Sequence, residues 1–211
     1  MINFSRLCIL IVGVFLMTGC HSQKKMEKYA EIKDFLGTPV RIEICTDDKK
    51  IKELPQALEK VWKRLEVVNQ SVGHGMDEAV SLLHQLGIKN FLIGVQGDMY
   101  ADGVNCQGNR WRIGLKDPKV KGKIFDVVLL SNQAVTTAVG QNLIKTVTVI
   151  APTNKEAIAL AKSVGALNVD EGAKIIESKG AKYAGLIIYN DREGKQTLVK
   201  SKKYPDYQIK Y

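Results

Sequence analysis

The sequence predicts an α+β domain, a largely antiparallel sheet arrangement with helices packed outside. Three observations carry this. Val40, Ile42 and Ile44 alternate with Arg41 and Glu43, and Trp111, Ile113 and Leu115 alternate with Arg112, Gly114 and Lys116. That is the period of strands buried on one face. The runs FLIGV at 91–95 and AGLIIYN at 184–190 are short, apolar and rich in branched side chains, as buried strands are. Other segments place apolar residues three and four apart, Ala79, Leu82, Leu83 and Leu86 in one, Ala157, Leu160, Ala161 and Val164 in another. Each set makes one face of a helix. The chain has 211 residues, 45% hydrophobic and 25% charged, which excludes a disordered polymer and suffices for one well-filled domain.

Taken in order, the N-terminus reads as an export signal. Arg6 is the charged start, and LCILIVGVFLM is an apolar stretch too short to span a bilayer comfortably. Small residues then lead to a cysteine in Leu16-Met17-Thr18-Gly19-Cys20, which resembles a bacterial lipobox. The expected processing is cleavage before Cys20 and lipidation of its thiol. Several acyl chains on one residue anchor a protein stably, where a single chain does so marginally. The expected division is therefore residues 1–19 as signal peptide, 20–30 as lipidated tether and 31–211 as one domain. The implied location is the bacterial cell envelope, on a membrane facing the periplasm or exterior.

With Cys8 in the signal and Cys20 lipidated, Cys45 and Cys106 remain. A disulfide suits an exported protein, and two separate buried thiols suit the sequence equally well. No CxxC or zinc spacing is present. The net charge is +9, spread over scattered lysines without interleaved aromatics, so a nucleic-acid platform is not expected. A solvated basic surface, or one facing anionic lipid, accounts for it.

A strand is expected at 40–44, followed by a helix on which Leu54, Leu58, Val61, Trp62 and Leu65 form the stripe and Pro55 sits near the start. Gly73 and Gly75 frame a turn before the next helix, and Gly87 stands where a left-handed C-terminal cap is wanted. FLIGV then ends in Gln96-Gly97-Asp98, which sets backbone amides and a carboxylate at the end of a buried element. IFDVVLLS and the alternating Val147 and Val149 give two more strands. Thr153 and Glu156 form a capping box for the helix that follows. DEGAKIIESKG is a short helix, and the chain closes with AGLIIYN, a second strand and a tail.

Gly73, Gly75, Asp77, Gly87, Lys89, Asn90, Gly97, Asp98, Tyr100, Ala101 and Gly103 fall in register, without a gap, within GHGMDEAVSLLHQLGIKNFLIGVQGDMYADG. This segment resembles the middle of the ApbE family, the FAD:protein FMN transferases. The resemblance extends to LGTPVRIEI, to WRIGLKDP and to the threonine pair Thr136 and Thr137. It implies FAD as substrate and Mg²⁺ as cofactor. It also implies transfer of FMN to a threonine or serine of an exported flavoprotein. The positions it assigns to flavin-nucleotide contact are Leu36, Gly73, His74, Gly75, Asp98, Thr136 and Thr137. Leu36 stands where the family has a methionine. His74 is read either as a hydrogen-bond donor to phosphate or as a surface-loop histidine.

The chain also departs from the pattern. In the family an Asp and a Thr four apart on one helix bind magnesium; here Ile158 and Lys162 stand at those positions. An alkyl group cannot ligate Mg²⁺ and an ammonium repels it. Lys162 is read either as a solvated lysine or as a replacement positive charge near a phosphate. The family's long region before its glycine turn and its later H-I-I-D-P segment have no counterpart. Two readings follow: an FMN-transferase-type lipoprotein with impaired or absent activity, or a non-catalytic membrane-anchored protein that binds flavin or another protein. No catalytic residue is assigned. A solute-binding protein unrelated to flavin is disfavoured by the matched segment.

Overall fold

The computed structural model describes residues 26–35, 37–68 and 74–209. In chain order the elements are β1 (Glu27–Phe35), β2 (Thr38–Thr46), α1 (Asp48–Ile51), α2 (Leu54–Val68), α3 (His74–Gln85), β3 (Phe91–Val95) and β4 (Asp98–Asp102). Then come β5 (Trp111–Lys116), β6 (Ile124–Leu130), β7 (Gln133–Val139), β8 (Ile144–Ala151), α4 (Asn154–Gly165) and α5 (Val169–Ser178). The chain ends with β9 (Ala184–Asn190), β10 (Gln196–Lys200) and a 3₁₀ turn at Tyr204–Tyr207.

Eight strands form one sheet in the order β1-β2-β3-β4-β7-β8-β9-β10. Every neighbouring pair is antiparallel. Its two faces are covered differently. Val40, Ile42 and Ile44 of β2, Phe91 and Ile93 of β3, and Val147 and Val149 of β8 pack against the stripes of α2, α3, α4 and α5. On the other face Leu92, Ala101, Val135, Ile150, Leu186 and Ile188 meet a two-stranded ribbon, β5 paired with β6, which inserts Trp111, Ile113, Leu115, Val128 and Leu130. Tyr204 of the 3₁₀ turn completes that second core. The fold is thus the α+β antiparallel architecture expected, with its helices on one face and a ribbon on the other.

Local chemistry explains the boundaries. Gly87 takes φ 73°. Its amide donates to the His84 carbonyl at 2.9 Å, and the next amide, of Ile88, donates to Leu83 at 3.0 Å, closing α3 as a Schellman motif. Thr153 Oγ1 accepts from the Glu156 amide at 3.2 Å and donates to the Glu156 carboxylate at 2.9 Å, so the two residues expected to cap α4 do meet at its start. Gly75 lies inside the first turn of α3 rather than in the preceding turn. Leu86, placed on the apolar face by spacing, lies past the helix end and is exposed.

The expected tether gives up its last residues to the sheet. β1 begins at Glu27, within the span 20–30. EKYAEIKDF pairs with β2 residue for residue, Glu27 opposite Thr46 through Phe35 opposite Thr38. Its polarity suits an edge strand whose outer rim meets water. The signal, the lipidation residue Cys20 and the tether as far as residue 25 lie outside the described residues.

Candidate functional site

β3 and β4 are joined by two residues, Gln96 at φ 52° and Gly97 at φ 103°, with Val95 paired to Asp98. Two successive left-handed residues match the twist of a tight hairpin, and glycine takes the second without strain. The turn therefore fixes Asp98 at the first position of β4. Pairing Met99 to Val135 brings Thr136 of β7 opposite, and its hydroxyl donates a hydrogen bond to the Asp98 carboxylate. Burial pushes the Asp98 carboxyl above its usual value of 3.8. The Thr136 bond and the positive charge of Lys162 pull the other way. Thr136 and Lys162 thus both act on Asp98, although Lys162 is 64 positions further along the chain.

Thr137 does not join them. In an extended strand successive side chains alternate faces, so Thr137 turns to the ribbon side and meets the hydroxyl of Thr148 at 2.8 Å. Both threonines lie in the middle of β7. Leu36 and Gly73 lie outside the described residues, and His74 and Gly75 begin α3.

Asp77 was matched in the sequence but given no role. Its two carboxylate oxygens accept the amides of Asn154 at 2.8 Å and Lys155 at 2.9 Å. An anion at a helix N-terminus meets both unpaired amides and the positive end of the helix dipole. The N-terminus of α4 is therefore filled by the chain's own carboxylate. Tyr100, between this cap and Asp102, has its phenol pushed up to about 12, chiefly by burial and further by those two carboxylates. His84 of α3 meets the Asp102 carboxylate at 2.5 Å. No fixed spacing advertises that contact, because the two residues are 18 positions apart.

Cys45 and Cys106 form a disulfide, closing the alternative left open by the sequence. It lies in the wall of a cavity of about 800 Å³, together with Lys50, Leu54, Ile88 and Asn90. Among the described residues, none of those assigned to flavin contact lines this cavity. Asn90 precedes β3 whereas Asp98 follows the hairpin, so the two lie at opposite ends of β3 and β4. The Asp98 cluster and the cavity are separate features.

Among the described residues, the side chains at this end of the sheet do not fit Mg²⁺. Among the described residues no three His, Cys, Asp or Glu side chains are arranged to hold a metal ion. Near Asp98 stand a hydroxyl and an ammonium, and a hard cation wants several oxygens. Ile158 and Lys162 are side chains that cannot supply them.

The ApbE family model matches residues 17–142, a span that ends before α4. A FAD:protein FMN transferase of Haemophilus influenzae is 24% identical over 181 residues, covering 74% of this chain and 51% of that protein. The chain thus spans about half the length of this curated relative. Among solved structures, the flavin transferase ApbE from Vibrio cholerae superposes with a TM-score of 0.66 at 14% identity, covering 86% of this chain and 99% of that one. The apo flavinyl transferase ApbE of Pseudomonas stutzeri gives 0.65 at 12% identity, covering 87% and 97%. At such identities the structural likeness speaks for the fold.

Proposed function

Since the chain belongs to the ApbE family, we propose that it takes FAD at the Asp98–Thr136 end of the sheet and is a lipid-anchored relative of the FMN transferases. The observation that carries this is the Gln96-Gly97 hairpin. It holds a half-buried carboxylate, bonded to a threonine and lying in the field of a lysine, inside the segment that matches the family. Anchoring through Cys20 would place the domain at an envelope membrane, where an exported flavoprotein is the fitting partner.

The activity implied is group transfer. The bond between the FMN phosphorus and AMP breaks, the phosphorus joins a threonine or serine oxygen of the acceptor, and AMP and the hydroxyl proton leave. Such chemistry depends on positioning and on neutralising phosphate charge. A second reading, FAD binding without transfer, is favoured by one observation: among the described residues no cluster of side chains is arranged to hold a divalent ion.

The test is to mix the full chain with FAD, Mg²⁺ and an exported flavoprotein domain, then denature and separate the proteins. Both readings expect FAD to raise the melting temperature, since a ligand at 100 times its Kd adds about 2.7 kcal/mol. Flavin fluorescence that stays on the denatured acceptor selects transfer, and binding without it selects the second reading. A melting temperature indifferent to FAD removes both.

A further inference from the structure

Ile158 and Lys162 lie four residues apart on α4, hence on one edge of the helix. The helix packs on β7 and β8 and reaches β4. Its buried face is Ala157, Leu160, Ala161 and Val164. Ile158 is half-buried at the margin of that face and Lys162 is exposed beyond it. Thr136 of β7 is 4% exposed and holds the Asp98 carboxylate from beneath. That carboxylate thus lies in the field of a long cationic side chain that is itself exposed to solvent.

We propose that Lys162 takes the place of a divalent cation, so that this site receives the diphosphate of a nucleotide without metal. Asp98, itself locked by Thr136, is the positioning residue, and the ammonium is the group that meets the phosphate. A lysine ammonium has three donors and one positive charge. One donor can turn to Asp98 while the others reach an anion. A divalent ion brought to the same place would meet the ammonium's like charge and the alkyl surface of Ile158. The two devices therefore exclude each other, and the side chains present favour the lysine. The inference rests on the FAD reading for the identity of the nucleotide and on the Asp98–Thr136–Lys162 cluster for the mode of binding.

The test is calorimetric titration of the full chain with FAD, riboflavin and inorganic pyrophosphate, each in EDTA and in millimolar Mg²⁺. FAD and pyrophosphate affinities should agree within about twofold between the two buffers. Lys162→Met should weaken both at least tenfold in EDTA and leave riboflavin unchanged, and Lys162→Arg should recover most of the loss. Binding of FAD or pyrophosphate that needs Mg²⁺, or that ignores Lys162→Met, overturns the proposal. Riboflavin binding without pyrophosphate binding would keep the flavin reading and overturn this one. Metal-free, Lys162-dependent pyrophosphate binding with no flavin affinity would do the reverse. Binding of none of the three overturns both.

Discussion

Asp98 shows how one side chain carries opposing demands. Its carboxyl is pushed above the ordinary 3.8 because burial outweighs both the Thr136 bond and the Lys162 charge. Between the unfolded and the raised native pKa, the native state holds more of the proton. Stability therefore falls as pH rises through that window and stays lower above it. At neutral pH the ionised group destabilises the fold. Asp98→Asn removes the charge and keeps an oxygen for Thr136. It should melt higher than the parent at pH 7, by ~2 °C for a domain of this size, and level with it near pH 3, where both are uncharged. A variant that melts lower at pH 7 would mean that the charge stabilises the fold. Only half of this residue-scale picture is legible in the sequence. The Gly-Asp pair announces a tight turn ending in a carboxylate. Nothing local says that Thr136 and not Thr137 faces it, since that depends on the pairing of β4 with β7.

At the scale of elements, much of the matched segment proves to be scaffold. Gly87 closes α3, and Asp77 caps α4 from α3, two helices whose sequences are 77 residues apart at the contact. Asn90 Oδ1 accepts the Val104 amide at 3.0 Å. A Cβ on Gly103 would lie 2.3 Å from that oxygen and from the Lys89 carbonyl, so only glycine fits. These residues fix how a hairpin, a loop and two helices meet. Asp77→Ala should leave two amides of α4 without an acceptor and cost about 1–2 kcal/mol in urea unfolding. Asp77→Asn should recover part of that. An Asp77→Ala loss below about 0.5 kcal/mol would show that water caps α4 equally well. The helix at 154–165 and the strands with clean period were legible because their pattern is local. β1 was legible only as an extended entry from Lys28, because an edge strand with one wet rim looks like a polar linker until its partner is known. The Asp77 cap was hidden for the same reason: a helix N-terminus advertises its own box, Thr153 and Glu156, and not a carboxylate supplied from elsewhere.

The whole molecule is an open antiparallel sheet stapled at one end. The sequence shows strands but not their order, and the order decides what β5 and β6 do. They pair with each other and cover the sheet face away from the helices, since Trp111, Ile113 and Leu115 need an apolar surface that Leu92, Val135 and Ile150 provide. The ribbon leaves the sheet after Gly103, and the disulfide from Cys45 of β2 to Cys106 ties that departure to the sheet across a separation of 61 residues. Removing the tie frees the unfolded chain more than the folded one. Loop-closure entropy for a loop of this length amounts to about 4 kcal/mol at 25 °C, although measured values are often smaller. Replacing both cysteines by serine should lower unfolding free energy by about 2–4 kcal/mol in urea. The parent in a strong reductant should lose a similar amount, with two thiols becoming titratable on unfolding. The Asp98 cluster sits at the other end of β3 and β4, so flavin affinity in the folded double variant should stay within about twofold of the parent. A tenfold loss there would mean that the staple and the nucleotide end are mechanically coupled through the central strands. An unchanged urea midpoint, with two thiols already reactive in the native parent, would mean that the bridge does not form in solution.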